Sequence, residues 1–417
     1  MMQYIVLVFS LVFTSIFILS EAAHAQKNND ENRLLLKNAY IYKPEGAFTE
    51  MPSHLLVQDG MILEIISEGN AIPKNIEVKD LAGRYVLPGL IDVHAHPRSL
   101  DAYQETLRSG VTTIRTMGVG GYGDVTLREL VRSGRLAGPE VFAAGVYVQP
   151  KINRDAVLWE PRLARFAENK IWDQDSLRKF VNINIDRGVD WIKTRGTERA
   201  GLAETDPRLQ VYSKANIGTI VKTAEERSVK VAVHAHGDAG IRAALEAGVQ
   251  TIEHGTFASE ETISLMSRLN VYLVPTISVT DKNPPAHPKL LIRSSHMLPE
   301  VRLIAARAHA AGVTILPGTD SSYSASESGS ENFIYNKRIG HELSEFVKIG
   351  LAPKEAIRSA TEAAADMLGI ADRVGRLEKG YEADLIVLNK NPLEKIYRVL
   401  DPIMVISNGH VVVNRIQ

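Results

Sequence analysis

Cysteine is absent from the 417 residues. No disulfide framework, thiolate-held metal or thiol nucleophile is available, so the fold must rest on core packing. Neither charge is in excess: 48 Lys and Arg stand against 49 Asp and Glu, a net charge of -1. That leaves no basic footprint for nucleic acid and no acidic tail. Past residue 19 no apolar run is long enough for a bilayer span, which takes about 20 residues. What is there is 45% apolar and 23% charged, the profile of a globular chain. The length suits one large barrel plus one small domain.

The single long apolar run is Ile5 to Leu19, broken only by Ser10, Thr14 and Ser15, and Ala23-His24-Ala25 follows it. An apolar core ahead of a small-x-small site predicts a signal peptide over 1–25, cut after Ala25. The expected location is periplasmic or secreted, with no membrane attachment after cleavage. Met1-Met2-Gln3-Tyr4 lacks the usual Lys or Arg, and an uncleaved anchor is the alternative.

From residue 90 a short β-branched run followed by a helical stretch recurs eight times. The strand candidates are Leu90–His96, Val111–Gly118, Val141–Val148, Val189–Thr194, Val229–His236, Gln250–His254, Val271–Ile277 and Val313–Thr319. Eight such units predict an α/β fold, a (β/α)8 TIM barrel over 89–368. The flanks read as short strands with turns, among them Asp59-Gly60 and Asn408-Gly409. Residues 33–88 and 369–417 are expected to combine into a small composite β-sandwich beside the barrel, with Glu355–Leu368 as one helix between the two.

Active sites of such barrels gather at the C-terminal ends of the strands. The first ends in Asp92-Val93-His94-Ala95-His96. Side chains alternate along a strand, so His94 and His96 share a face and can hold one metal ion. The fourth carries Trp191-Ile192-Lys193-Thr194-Arg195. A lysine there either snorkels to solvent or is an amine of depressed pKa that reacts with CO2. The resulting carbamate would be an anionic oxygen ligand for two metal ions. His234 and His236 end the fifth strand, Glu253-His254-Gly255 the sixth, and Gly318-Thr319-Asp320 the eighth. Asp320 is a titratable, metal-binding type of residue at a strand end, or else the N-cap of a following helix. Scatter by chance would spread histidines over helices and loops, whereas these five all fall at strand ends.

With these motifs the chain resembles the amidohydrolase superfamily, and within it the prolidase-like and imidazolonepropionase-like metal-dependent hydrolases. The resemblance covers about residues 33 to 417. It is carried by Val86-Leu87-Pro88-Gly89-Leu90-Ile91-Asp92-Val93-His94-Ala95-His96, Gly110-Val111-Thr112-Thr113, Gly248-Val249-Gln250-Thr251-Ile252-Glu253-His254-Gly255 and Gly380-Tyr381-Glu382-Ala383-Asp384-Leu385-Ile386-Val387-Leu388. It implies a site of one or two divalent metal ions. One would be held by His94, His96, Asp320 and carboxylated Lys193, the second by Lys193, His234 and His254. Zinc is the expected metal, since nitrogen and oxygen ligands suit it; iron, manganese and nickel are alternatives. The implied activity is an exported hydrolase that uses a metal-activated hydroxide to cleave a C–N bond in an amide, peptide-like or cyclic amide substrate. Asp320 would act as general base, then acid. A lactone, ester or organophosphate hydrolase, or an inactive metal-binding relative, is the rival reading.

The expected partner is a small-molecule substrate; a homo-oligomer is left open. Dipeptidase-like members carry Gly-Gly-His after strand three, where this chain has Ala143–Pro150 without a histidine. The candidate substrate contacts are Tyr147, Gln149, Arg195 and His236. Arg195 is suited to a bidentate grip on a carboxylate, and His236 is also an alternative ligand. His341-Glu342-Leu343 reads as a structural part of a helix, and Ser324–Glu331 as a mobile loop over the site.

Overall fold

The computed structural model describes residues 33–167, 171–200, 205–280, 288–323 and 338–416. The expected signal peptide and the serine-rich loop at 324–331 lie outside them.

The first flank forms β1 (Arg33–Lys43), β2 (Ala47–Phe48), β3 (Ser53–Gln58), β4 (Met61–Ser67) and β5 (Glu77–Pro88). The middle of the chain forms β6 (Leu90–Ala95), β7 (Val111–Thr116), β8 (Glu140–Phe142), β9 (Trp191–Arg195), β10 (Lys230–Gly237), β11 (Thr251–Phe257) and β12 (Tyr272–Val274). The last flank adds β13 (Leu385–Leu388), β14 (Met404–Ser407) and β15 (His410–Asn414).

One mixed sheet runs β15-β14-β13-β5-β1-β3-β4, with β2 on β1. In its middle β5 pairs in parallel with β1 and antiparallel with β13, so both ends of the chain meet there. Two hairpin turns bring their glycines into contact. Asp59 and Gly60 have φ of 50° and 80°, and Asn408 and Gly409 have 48° and 76°, the double positive φ that a two-residue turn of matching twist demands. A Cβ on Gly409 would lie 2.7 Å from Gly60 Cα.

Two parallel sheets, β6-β7-β8 and β9-β10-β11-β12, carry the middle of an α/β fold. Every residue of β6, β7 and β9 is buried, as expected of strands covered on both faces. Between the strands lie capped helices. Ser99 caps Leu100–Arg108, Ser213 and Asn216 make a capping box on Lys214–Glu225, and Ser259 caps Glu260–Arg268. Isolated parallel bridges join Val148 to Thr194, Leu273 to Ile315 and Ala95 to Ser321.

The structure departs from the expected elements in four places, one being the seventh candidate strand, Val271–Ile277, which is a strand only over Tyr272–Val274 and gives way to a 3-10 turn from Ile277. The third candidate strand has its ladder only over Glu140–Phe142, then continues through single bridges at Val146 and Val148. The eighth, Val313–Thr319, forms no ladder, only the bridges at Ile315 and Ser321. Pro317 has no N–H to give to a ladder, and at Asp320 the backbone turns left-handed, with φ of 51°. The helix expected over Glu355–Leu368 is two helices, Pro353–Ser359 and Glu362–Leu368. At the break the Ala360 carbonyl accepts the Ile91 N–H at 2.8 Å, spending on β6 a group that a continuous helix would use internally.

Candidate metal centre

The segment that was to be the eighth strand is tied to β6 by both backbone and side chain. Val93 N–H donates to the Pro317 carbonyl at 3.1 Å, Asp320 N–H to His94 at 2.7 Å and His96 N–H to Ser321 at 2.7 Å. Asp92, fully buried, accepts the His94 amide at 3.0 Å, the Thr319 hydroxyl at 2.6 Å and the Tyr323 hydroxyl at 2.7 Å. Burial, against those hydrogen bonds, lifts its pKa to about 6. A Cβ on Gly318 would lie 2.5 Å from His94 Cβ, so only glycine lets the segment come this close. The result places Asp320 Oδ1 3.1 Å from His96 Nε2 and 3.7 Å from His94 Nε2. No helix begins over Ser321–Tyr323, so the N-cap reading of Asp320 finds no support there.

Two donor groups result. His94, His96 and Asp320 form one, and His234, His236 and His254 the other; within each group the candidate ligand atoms lie within 4.8 Å of one another. The groups adjoin, with the His94 and His254 ring centroids 5.3 Å apart. His236 belongs to the second group, its ring 4.8 Å from that of His234 and 4.6 Å from that of His254.

Each imidazole has one nitrogen engaged from behind. His94 Nδ1 meets Glu253 at 2.6 Å, His96 Nδ1 the Gly118 carbonyl at 2.9 Å and His234 Nε2 the Glu198 carbonyl at 3.3 Å. The Thr256 hydroxyl lies 2.8 Å from His236 Nδ1, and the Thr276 hydroxyl 2.7 Å from His254 Nδ1. Such partners fix ring orientation and tautomer, as they do behind metal-ligating histidines. Burial, with the Lys193 charge, lowers His94 to about 4 against the pull of Glu253. Burial also takes His234 well below its ordinary value, helped by His236 and Arg195. Both rings are held neutral, the form that binds a metal. His254, Thr276 and Asp320 all have positive φ, at 77°, 51° and 51°. Such a residue costs about 1–3 kcal/mol, and a cluster of them is a feature of functional sites.

Lys193 is 2% exposed, and its amine has no hydrogen-bond partner among the described residues. Burial, opposed by Glu253 and aided by Arg115, brings it down to about 8. It is close enough to sense the charge of Asp320, and its own charge acts on His94 and His234. The snorkelling alternative therefore fails. A buried amine without a partner is expensive, and an added carboxyl group would remove that cost. The donor set of five imidazoles, one carboxylate and this amine fits one or two divalent ions that take nitrogen and oxygen ligands.

Of the candidate substrate contacts, Arg195 and Tyr147 lie together, the guanidinium 5.2 Å from the ring centroid, and Lys193 Nζ is 5.9 Å from the same ring. Arg195 also donates to Gln149 at 2.7 Å and lies 3.5 Å from Glu198. The Tyr147 hydroxyl is buried, which raises its pKa, beside the Arg195 guanidinium, which acts to lower it, and Arg195 Nε is buried with no hydrogen-bond partner among the described residues. Glu253 was not foreseen from sequence. It is fully buried, and besides His94 it accepts from Arg115 at 2.9 Å and from the Thr251 hydroxyl at 2.5 Å. Burial works to raise its pKa, but Arg115, Lys193 and His94 outweigh it and hold the carboxyl well below the usual range.

A model of the amidohydrolase family matches residues 85–412. The ochratoxinase of Aspergillus niger is 26% identical to this chain over 90% of it and 85% of that protein. The crystal structure of a Xaa-Pro dipeptidase with bound methionine in the active site is similar at a TM-score of 0.78 and 25% identity, covering 91% of this chain and 99% of that one. That of a putative prolidase from Bifidobacterium longum gives 0.77 and 29%, covering 92% and 95%.

Proposed function

The chain belongs to the amidohydrolase family, and from that premise we propose that it hydrolyses amide-type carbon–nitrogen bonds in a small-molecule substrate at a two-metal centre. The observation that carries this reading is the pair of adjoining donor groups, with every imidazole braced from behind and the Lys193 amine buried beside them. His94, His96 and Asp320 would hold one ion, His234 and His254 the other, and Lys193, as its carbamate, both. Zinc suits this set. Bound there, the ions would make a water nucleophilic near neutral pH and polarise the scissile carbonyl.

The chain's own residues do the rest. The neutral Lys193 amine adds to CO2, forming the N–C bond of a carbamate and releasing one proton. Asp320 sits beside His96 at 3.1 Å, where it takes the proton of the attacking water and returns it to the leaving nitrogen. The Tyr147 hydroxyl can donate and the Arg195 guanidinium offers only donors, which suits a carboxylate next to the scissile bond. The ochratoxinase and dipeptidase relatives support an amide or peptide-like bond as target.

We read the two parallel sheets as arcs of one (β/α)8 barrel over 89–368. The bridges Val148↔Thr194, Leu273↔Ile315 and Ala95↔Ser321 support that closure. Residues 33–88 and 369–417 would be its composite β-sandwich. Export to the periplasm or outside rests on the run Ile5–Leu19 ahead of Ala23-His24-Ala25.

The test is a hydrolysis panel on the purified chain with zinc or manganese added, covering N-acyl amino acids, dipeptides and cyclic amides, with lactones, esters and organophosphates beside them. Turnover of an amide, abolished in Asp320→Asn, is the expected result. Turnover confined to lactones, esters or organophosphates would overturn the reading.

A further inference from the structure

The motif His341-Glu342-Leu343 lies on the helix Arg338–Lys348, away in sequence from every residue of the centre. Its members divide sharply. His341 faces solvent, Leu343 is packed in the core, and Glu342 is fully buried. No ion pair to Glu342 occurs among the described residues, because the nearby Arg302 and Lys348 go to Glu345. A carboxylate is a costly group to bury without a cation, and burial pushes the Glu342 carboxyl up to about 8 against its backbone hydrogen bonds. What it receives instead is two consecutive backbone amides, Ile277 N–H at 2.9 Å and Ser278 N–H at 2.7 Å, one on each oxygen. Packing alone would be served by an apolar side chain.

Those amides follow directly on Thr276. Threonine is β-branched, and at φ of 51° it holds a conformation such residues avoid. A backbone in that state persists only if its surroundings over-determine it. The fork of Glu342 supplies that constraint on the C-terminal side. The product of the constraint is specific: the Thr276 hydroxyl is aimed at His254 Nδ1, 2.7 Å away.

We propose that Glu342 is a positioning residue for the metal centre, which acts through the 277–278 backbone and the Thr276 hydroxyl to set the orientation and tautomer of His254. This rests on the reading of His254 as a ligand of the second ion. A hydroxyl partner on Nδ1 leaves Nε2 as the ligating nitrogen, and a ring freed to rotate would present it less often. The role belongs to the two oxygens of the carboxyl group. A glutamine would offer one acceptor and set an NH2 group against the other amide.

The experiment is a double-mutant cycle on zinc binding. Zinc stoichiometry and dissociation constants are measured by chelator competition on the full chain, alongside thermal stability. The variants are Glu342→Gln, Thr276→Val and the two combined. Each single change is expected to weaken the second zinc ion about tenfold to a hundredfold, the usual effect of losing a partner behind a ligand, and to leave the first ion at its wild-type affinity. The double variant should bind the second ion no worse than the weaker single one, because both changes cut one relay. Thr276→Ser, which keeps the hydroxyl, should bind as wild type. Wild-type zinc affinity in Glu342→Gln, or losses that multiply in the double variant, would overturn the proposal while the two-metal reading stands. A wild-type chain that binds no zinc removes that reading and this inference with it. Should Glu342→Gln fail to fold, Glu342→Asp keeps the carboxyl but shortens the arm, and carries the same expectation.

Discussion

At the scale of single residues, Glu253 serves two partners at once, the Arg115 guanidinium and the His94 imidazole. Changing it to Gln leaves a buried guanidinium without its counter-charge, which costs about 3–5 kcal/mol, and removes the brace behind a ligand, worth about tenfold to a hundredfold in metal affinity. Glu253→Gln should therefore lose on both counts, in urea unfolding and in zinc competition. Lys193 carries a pH prediction. Its amine titrates at about 8 and adds CO2 only when neutral, so the carbamate should grow as pH rises through that value. Carbon NMR with labelled bicarbonate would report it, and Lys193→Met should give no signal. Lys193 and Asp320 were legible in the sequence because both stand at predicted strand ends in a fixed order with the histidines. Glu253 was not, since its partners His94 and Arg115 lie far off in the chain and nothing local hints at them. A signal did exist: an acid in Thr251-Ile252-Glu253 and a base in Ile114-Arg115-Thr116 are both lodged in strands otherwise built for burial, and each demands the other.

At the scale of elements, the hairpin turns make the sharpest case. Gly409 has φ of 76°, and its α-carbon position looks straight at the Gly60 backbone. Gly409→Ala adds both backbone strain and a collision, and should cost about 1–3 kcal/mol, read as a fall in the unfolding midpoint with the zinc content unchanged. Both turns were visible as Asp-Gly and Asn-Gly between β-rich runs, because the chemistry that fixes them is confined to two residues. Their contact with each other was not visible, since it depends on the Ala383 backbone, whose N–H donates to the Gly60 carbonyl at 2.7 Å and whose carbonyl accepts the Gly409 N–H at 3.1 Å. The split between Pro353–Ser359 and Glu362–Leu368 was hidden for a similar reason. Helical periodicity continues across Ala360, and only the demand of Ile91 for an acceptor interrupts it.

At the scale of the whole molecule, the centre is assembled from β6, β9, β10, β11 and the segment around Asp320, and metal binding should be felt by all of them. With zinc at a hundredfold its dissociation constant, the folded state gains about 2.7 kcal/mol for each ion. Removal by chelation should lower the melting temperature, and adding zinc back should restore it. Calorimetry on the stripped and reloaded protein checks this, and an unchanged melting temperature would contradict it. The alternation of strand and helix made the parallel sheets legible at this scale. The parallel pairing of β1 with β5 was not, because it leaves no local trace in either strand.

The junction at Gly89 has a temporal side. β5 passes through this one residue into β6, which carries His94 and leads into His96, while Pro88 to Tyr85 pair with Leu385 to Leu388. A ribosome makes those partners about 300 residues after β5. Until then β5 has an open edge, a hazard for association with other chains, and the strand it leads into lacks its final anchor. The finished centre thus waits on Leu385–Leu388, and a chain stopped short of Leu385 should accumulate as aggregate, without a zinc-binding protein.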